Sequence, residues 1–427
     1  MRKRIGLFFM ATLCFMLTSC AGEEPNDIGY ITALGIDKTD DGYSYTIQFA
    51  NPTKISGGAA EQGGSGGNIV ENIVVDAPTV YAAINNANAI VSKDLSLSHA
   101  KVIVISEEIA RKGVFGITDV IARNNEIRPD VYLAVAENAG DYLEGVKPVV
   151  ELNPVKYYQL TYENKKGGFV PQNTASDFYM ACVAEDRDFA LPLSGVAQAE
   201  EKSTGTDAGS GGEQQASEKP SPNKKNKEAI TQTDGFENGK KNYFAGEAGA
   251  EVKNKSETIG LAVFKGDTYT EKLGSIDAEI YNILMNNING SRVTFYADNE
   301  NNIPITVSLE SKKRPAYKID RDTKKVEILL SLEAELVSAP QKHKEEKTYM
   351  GFEKDASKMI NDAVYGFIEK TYKGLDVDLL AIKSKLKKQF LTNDKYYEYI
   401  NLFVPKEWDF TVNTKLKLKR TGMTYYY

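Results

Sequence analysis

Few side chains in this chain could do chemistry. Three Cys (Cys14, Cys20, Cys182) and two His (His99, His343) are spread over 427 residues, and none falls in a C-x-x-C or H-E-x-x-H spacing. That argues against a structural zinc site. Residues 63–67 read Gly-Gly-Ser-Gly-Gly, the form of a hydrolase nucleophile turn. Such a turn needs a strand before the serine and a helix after it, whereas this one lies in a Gly-rich insertion, 56–68, that reads as flexible. Residues 37–42 (DKTDDG) look like the start of a calcium loop, but Thr39 and Gln48 stand where carboxylate ligands are required. They read instead as a hairpin turn. His99, at the start of an apolar strand, reads as a hydrogen-bonded structural residue, and His343 (QKHKEEK) as part of a solvated turn. Cys182, within FYMACVA, reads as a small buried hydrophobe. No spacing singles out a carboxylate pair. No catalytic residue, cofactor or metal site is assigned.

Cys20 is different. Arg2, Lys3 and Arg4 precede a 13-residue apolar run, 5–17, too short to span a bilayer and typical of a signal peptide. The run ends in Leu17-Thr18-Ser19-Cys20, which resembles the bacterial lipobox, whose Cys is diacylated on sulfur and becomes the first mature residue. Residues 1–19 are therefore read as a lipoprotein signal peptide and Cys20 as the lipidation site; ordinary secretion with cleavage nearby is the alternative. Two acyl chains suffice to hold a soluble body at a bilayer. Cleavage removes three positive charges, taking the formal charge from −7 to −10. Net acidity argues against a nucleic-acid partner, whose phosphates need a basic face. With Cys14 removed and Cys20 acylated, Cys182 has no disulfide partner.

The elements that would position these residues follow from periodicity. Apolar runs at 31–36, 43–50, 72–76, 101–105 and 131–136 read as strands, alternating with helices at 79–91, from Ser106 to Gly113, at 117–123 and at 140–146. That alternation predicts a partly parallel sheet. Residues 198–255, rich in Gly, Ser, Glu, Lys and Pro, read as a disordered linker. Strict alternation at 303–309, 326–336 and 410–418 predicts an antiparallel sheet, covered by apolar helical stripes at 356–367 and 379–390. The fold class expected is α+β, multidomain: a signal at 1–19, a mixed α/β domain at 20–185, a small middle domain at 186–275 that includes the linker, and an α+β domain at 276–427. The 24 tyrosines cluster at 157–158, 396–399 and 425–427, and packing accounts for most of them.

Several segments, in order, resemble one family. Ile36-Asp37-Lys38, residues 97–108 (LSHAKVIVISEE) with Ala110 and Gly113, 123–129 (RNNEIRP), 260–267 (GLAVFKGD), Pro405-Lys406-Glu407-Trp408 and the stretch ending Lys419-Arg420-Thr421-Gly422 are similar to the Ger(x)C lipoproteins, the C subunits of spore nutrient germinant receptors. The resemblance implies a three-domain α+β body with no known enzymatic activity. It also implies lipid anchoring on the outer face of the spore inner membrane, and assembly with two integral membrane subunits that couple nutrient sensing to ion release. Residues 375–385 (LDVDLLAIKSK) depart from the family's Asp-Ile-Phe-Gly-like segment. A lipid-anchored solute-binding protein of a transporter is the rival reading. It would show two comparable lobes around a cleft and would bind small molecules directly.

Overall fold

The computed structural model describes residues 27–50, 70–91, 93–148, 151, 153–164, 166–197, 242–247, 254–297, 303–338 and 346–420. The first two expected strands are β1 (Ile28–Thr39) and β2 (Gly42–Ala50), joined at Asp40 and Asp41 as an antiparallel hairpin. β3 (Val70–Ala77) pairs with β2, and α1 (Val80–Asn88) starts where the Thr79 hydroxyl accepts from the Ala82 N–H. β4 (Asp94–Ser96) and β5 (Val102–Ser106) lie parallel to successive stretches of β1.

The local signals around α2 (Glu107–Lys112) agree. Ser106 caps it, Glu107 and Glu108 sit in its first turn, Arg111 and Lys112 in its last, and Gly113 stops it at φ +103°, where a Cβ is disfavoured. α3 (Phe115–Arg123) leads to β6 (Tyr132–Ala136); α4 (Ala139–Gly145), α5 (Pro154–Tyr162) and α6 (Ala175–Ala184) lead to β7 (Phe189–Val196). The helical crossovers make β1, β5, β6 and β7 mutually parallel. β8 (Ser256–Lys265) and β9 (Thr268–Leu273) then add antiparallel, giving the order β3-β2-β1-β5-β6-β7-β8-β9 with β4 beside β1. The segment 186–275, expected as a small middle domain, therefore supplies three strands of the first sheet. Most of 198–255 lies outside the described residues, and its compositional break falls between two hydrogen-bonded neighbours, β7 and β8.

Both faces of this sheet are covered. Val102, Val104, Ala134 and Ala136 pack with Tyr142, Leu143, Tyr158 and Tyr162, while Ile103, Ile105, Leu133 and Val135 pack on the other side with Ile109 and Phe178. That is why β5 and β6 read as unbroken apolar runs.

α7 (Ser275–Leu284) leads to a second sheet of β10 (Asn289–Ala297), β11 (Ile303–Asp320), β12 (Lys325–Ser338) and β13 (Asp409–Arg420). The antiparallel pattern holds through β10, β11 and β12, but β13 joins β12 in parallel. The reason is the connection: α8 (Glu346–Ile368), a π-helical turn (Glu369–Gly374), α9 (Ile382–Leu386) and α10 (Asn393–Ile400) carry the chain back to the end where β12 began. Ala356, Ile360, Ala363 and Phe367 of α8 are buried as their stripe predicts. Leu379, Ile382, Leu386 and Phe390 also reach the core, but not as one helix: Ala381 is left-handed at φ +54°, and only Ile382 and Leu386 are helical.

A second stripe of α8 does something the apolar pattern does not announce. Glu353, Ser357, Asn361 and Tyr365, each four residues apart, accept from the free-edge N–H groups of Leu418 (2.8 Å), Leu416 (3.2 Å), Thr414 (3.0 Å) and Val412 (3.0 Å). Four helical residues rise about 6 Å and two strand residues about 6.6 Å, so the two ladders stay in step. The helix thereby covers an edge that would otherwise invite strand addition. Asn361→Ala leaves the Thr414 N–H without its acceptor. It should lower unfolding free energy by about 1–2 kcal/mol, read as a lower urea midpoint with an unchanged slope.

Candidate functional site at the junction of the two sheets

Of the residues singled out by sequence, Cys20, His343, the Gly-Gly-Ser-Gly-Gly match and the insertion 56–68 lie outside the described residues. Cys182 is half-buried on α6, its Sγ 3.9 Å from the Gly266 carbonyl. Burial, with Asp267 and Asp188 nearby, pushes its thiol up to about 12. It is a packing residue held as the thiol. His99 is the exposed last residue of a 3₁₀ turn (Leu97–His99) before β5, its ring 4.3 Å from that of Tyr30. Its structural part is therefore a ring contact where a hydrogen bond was expected. Asp37 of the rejected calcium loop accepts from the N–H groups of Ala139 and Gly140, both at 2.8 Å, and so ties the hairpin to the start of α4. Among the described residues no cluster of His, Cys, Asp and Glu is arranged to hold a metal.

Two polar constructions are buried in the body. In the first, α4 and α5 place three tyrosines against the sheet. Tyr142 bonds Thr258 (2.9 Å) and Tyr162 (3.3 Å), Tyr162 bonds Ser194 (3.2 Å), and Ser194 bonds Thr258 (3.2 Å). Tyr158 donates to the Gln48 side chain at 2.5 Å, and Gln48 donates to Asn72 and to the Leu143 carbonyl. Burial raises the phenols of Tyr142 and Tyr158 well above 10 and that of Tyr162 to about 12. All three stay neutral at physiological pH, serving as donors and acceptors rather than as bases. Beside Thr258 opens a cavity of about 270 Å³ lined by Tyr157, Leu160, Phe169, Val170 and Glu151.

The second construction joins the halves of the molecule. Asp378, fully buried, accepts from the Tyr372 hydroxyl and from the N–H groups of Ile382 and Lys383, both at 2.8 Å. Its own N–H donates to Asp188 at 2.7 Å, the Asp188 N–H returns a bond to the Asp378 carbonyl, and the second oxygen of Asp188 accepts from Gly266 at 2.9 Å. Asp188 precedes β7 and Gly266 turns β8 into β9, so the Asp188 carboxylate, bonded to the Asp378 backbone, pins the C-terminal helical segment to the first sheet. Around it, Lys265 pairs with Asp376 (2.9 Å), Lys370 with buried Asp277 (3.0 Å), and Asn173 donates to the Ala190 carbonyl and the Tyr281 hydroxyl. Asp378 lies in the 375–385 stretch that departs from the family pattern. The one signal that could have found it is an acid flanked by Val377, Leu379 and Leu380.

The family description "Spore germination protein N-terminal domain" matches residues 22–196, and "Spore germination B3/ GerAC like, C-terminal" matches residues 259–422. The chain belongs to the Ger(x)C family of spore germination proteins. It is 30% identical over 140 residues to spore germination protein KC of Bacillus subtilis (strain 168), covering 32% of this chain and 34% of that one. To YfkR of the same organism it is 29% identical over 128 residues, 29% and 33% of the two chains. These alignments span about a third of each relative's length. The crystal structure of the GerBC protein is similar over 90% of this chain and 96% of that chain, at 13% identity and a TM-score of 0.49.

Asp378→Ala strands the Tyr372 hydroxyl, the buried Ile382 N–H and the part-buried Lys383 N–H. It should cost at least about 3 kcal/mol of unfolding free energy by urea titration, at about 1–3 kcal/mol for each donor left unpaired. Burial is also the largest influence on Asp378, raising it above the ordinary carboxylate value of 3.8. From that value up to the raised one, the folded chain holds a proton the unfolded chain has lost, so this group's contribution to stability falls as pH rises through that window and is flat above it. Unfolding titrations from pH 4 upward should show this falling component in the parent and its absence in Asp378→Asn.

Proposed function

We propose that the chain is the lipid-anchored C-type subunit of a spore nutrient germinant receptor, held through Cys20 on the outer face of the spore inner membrane. In this reading it assembles with two integral membrane subunits and helps couple nutrient detection to ion release. The observation that carries the reading is the pair of family matches, in order, over 22–196 and 259–422. The part played is non-enzymatic: the family is not known for enzymatic activity, and the buried tyrosines are neutral structural groups. Among the described residues no helix is long and apolar enough to cross a membrane, and this reading assigns attachment to the two acyl chains on Cys20. The rival solute-binding architecture calls for two comparable lobes, whereas among the described residues the two sheets have nine and four strands.

Affinity capture of the tagged full-length chain from detergent-solubilised spore membranes should recover two polytopic subunits and a diacylated N-terminal Cys20 peptide. A transporter permease in their place would move the assignment to the solute-binding reading. Cys20→Ala should leave the folded body intact and release it from the membrane fraction; a variant that stays fully membrane-bound and functional would rule out the anchor.

A further inference from the structure

The stretch between α9 and α10 carries an apolar side chain with nothing to pack on. Leu391 directly precedes Thr392, the N-cap of α10, whose hydroxyl accepts from the Lys395 N–H. A hydrophobic residue in that position ordinarily staples onto the helix's fourth residue, here Tyr396. Instead Leu391 is 98% exposed, and Phe390 takes the place against Tyr396 at a ring separation of 5.8 Å. Tyr397, on the same helix, is 45% exposed.

The charge around Leu391 runs against that of the molecule. Residues 383–398 hold five lysines and two acids, Asp394 and Glu398, in a chain of formal charge −7; Lys383 and Lys385 are turned to the Glu185 and Leu380 carbonyls, leaving Lys387, Lys388 and Lys395 at the turn. Asp394 sits in the first turn of α10, where it complements the helix dipole. Lys387, Lys388 and Lys395 are exposed on either side of Leu391, and Lys387 lies 5.5 and 6.0 Å from the Tyr396 and Tyr397 rings. Arg321, itself paired with Asp322 at 3.5 Å, lies 5.1 Å from the Phe390 ring. A bare leucine next to aromatic residues and flanked in sequence by exposed lysines has the chemistry of a segment that lies in a bilayer interface, its apolar tip among acyl chains and its cations among phosphates.

From this we propose that the Leu391 turn is a second membrane contact, seating the C-terminal half on an anionic bilayer. It rests on the reading of the chain as membrane-tethered, and it gives that tether an orientation: the lipid at Cys20 holds one end, and the turn between α9 and α10 touches down separately.

The test uses the whole mature chain with Cys20→Ser, so that no acyl group contributes, sedimented with phosphatidylcholine vesicles with and without phosphatidylglycerol. Binding should require phosphatidylglycerol and weaken with added salt. Lys388→Ala with Lys395→Ala should lower the partition coefficient by about 30-fold, at about fivefold per lysine. Leu391→Ser should lower it by roughly tenfold, the worth of burying about two methylenes. All three positions are exposed, so thermal unfolding should be unchanged, which separates a membrane role from a structural one. Failure of the parent to bind phosphatidylglycerol vesicles, or binding by the variants equal to the parent's, overturns the proposal. Lipidation at Cys20 is read separately from the captured peptide, so either result can fail without the other.

Discussion

The architecture hangs on a buried carboxylate placed where two sheets meet. Taking Asp378 out of water is costly, and the fold offsets that cost with a hydroxyl and two backbone N–H groups that donate to it. The geometry is exacting. Asp376 and Ala381 both stand at positive φ, +57° and +54°, a conformation L side chains rarely take. Asp376 is held there by Lys265 and the Lys406 N–H, and Ala381 by the bond its N–H makes to the Asp378 carbonyl. The strain is tolerated because the surroundings over-determine it. The backbone of Asp378 is bonded in turn to Asp188, whose own carboxylate reaches the turn after β8, so the C-terminal helical segment cannot shift without breaking bonds to the first sheet.

The second sheet depends on that anchorage. Its core is continuous with the first, since Ala190, Leu261 and Val263 belong to the same apolar cluster as Ile328, Ile360 and Trp408. β13 can lie parallel to β12 only if the chain between them crosses back, and the π-helical turn and Asp378 fix where that crossing passes. Once it is fixed, α8 has one face on the core and one polar ladder on the β13 edge. Asn361 and Ser357, poor residues for a helix interior on propensity alone, are where they are because the strand beside them needs acceptors.

How far sequence reaches follows from the range of each interaction. β1, β2, β5, β6 and the cap-to-cap grammar of α2 were legible because alternation, turn residues and helix ends act over a few residues. The stripe at 379–390 was misread as one helix because apolar spacing does not register a left-handed Ala381. Composition marks an insertion within 186–275 without saying that β7 and β8 on either side of it are neighbours. Asp378 and Asp188, 190 residues apart, leave no local signal beyond an acid among leucines and valines. The polar stripe of α8 was on the page at i, i+4 spacing, but its meaning depended on a strand about 50 residues downstream. Cys20 was the reverse case, a site read from sequence that lies outside the described residues.

Both buried polar constructions behave as fasteners. A satisfied hydrogen-bond network in a low-dielectric interior is costly to break one member at a time, and the phenols of the first network, held neutral by burial, offer no titration near pH 7 to loosen it. A displacement imposed on the helical segment at 370–386 would therefore be carried into β7 and β8 through Asp378 and Asp188, with little absorbed on the way. The packed interior favours this, since close-packed cores transmit strain instead of yielding to it. Stiffness of this kind is what lets a change at one surface be felt at another.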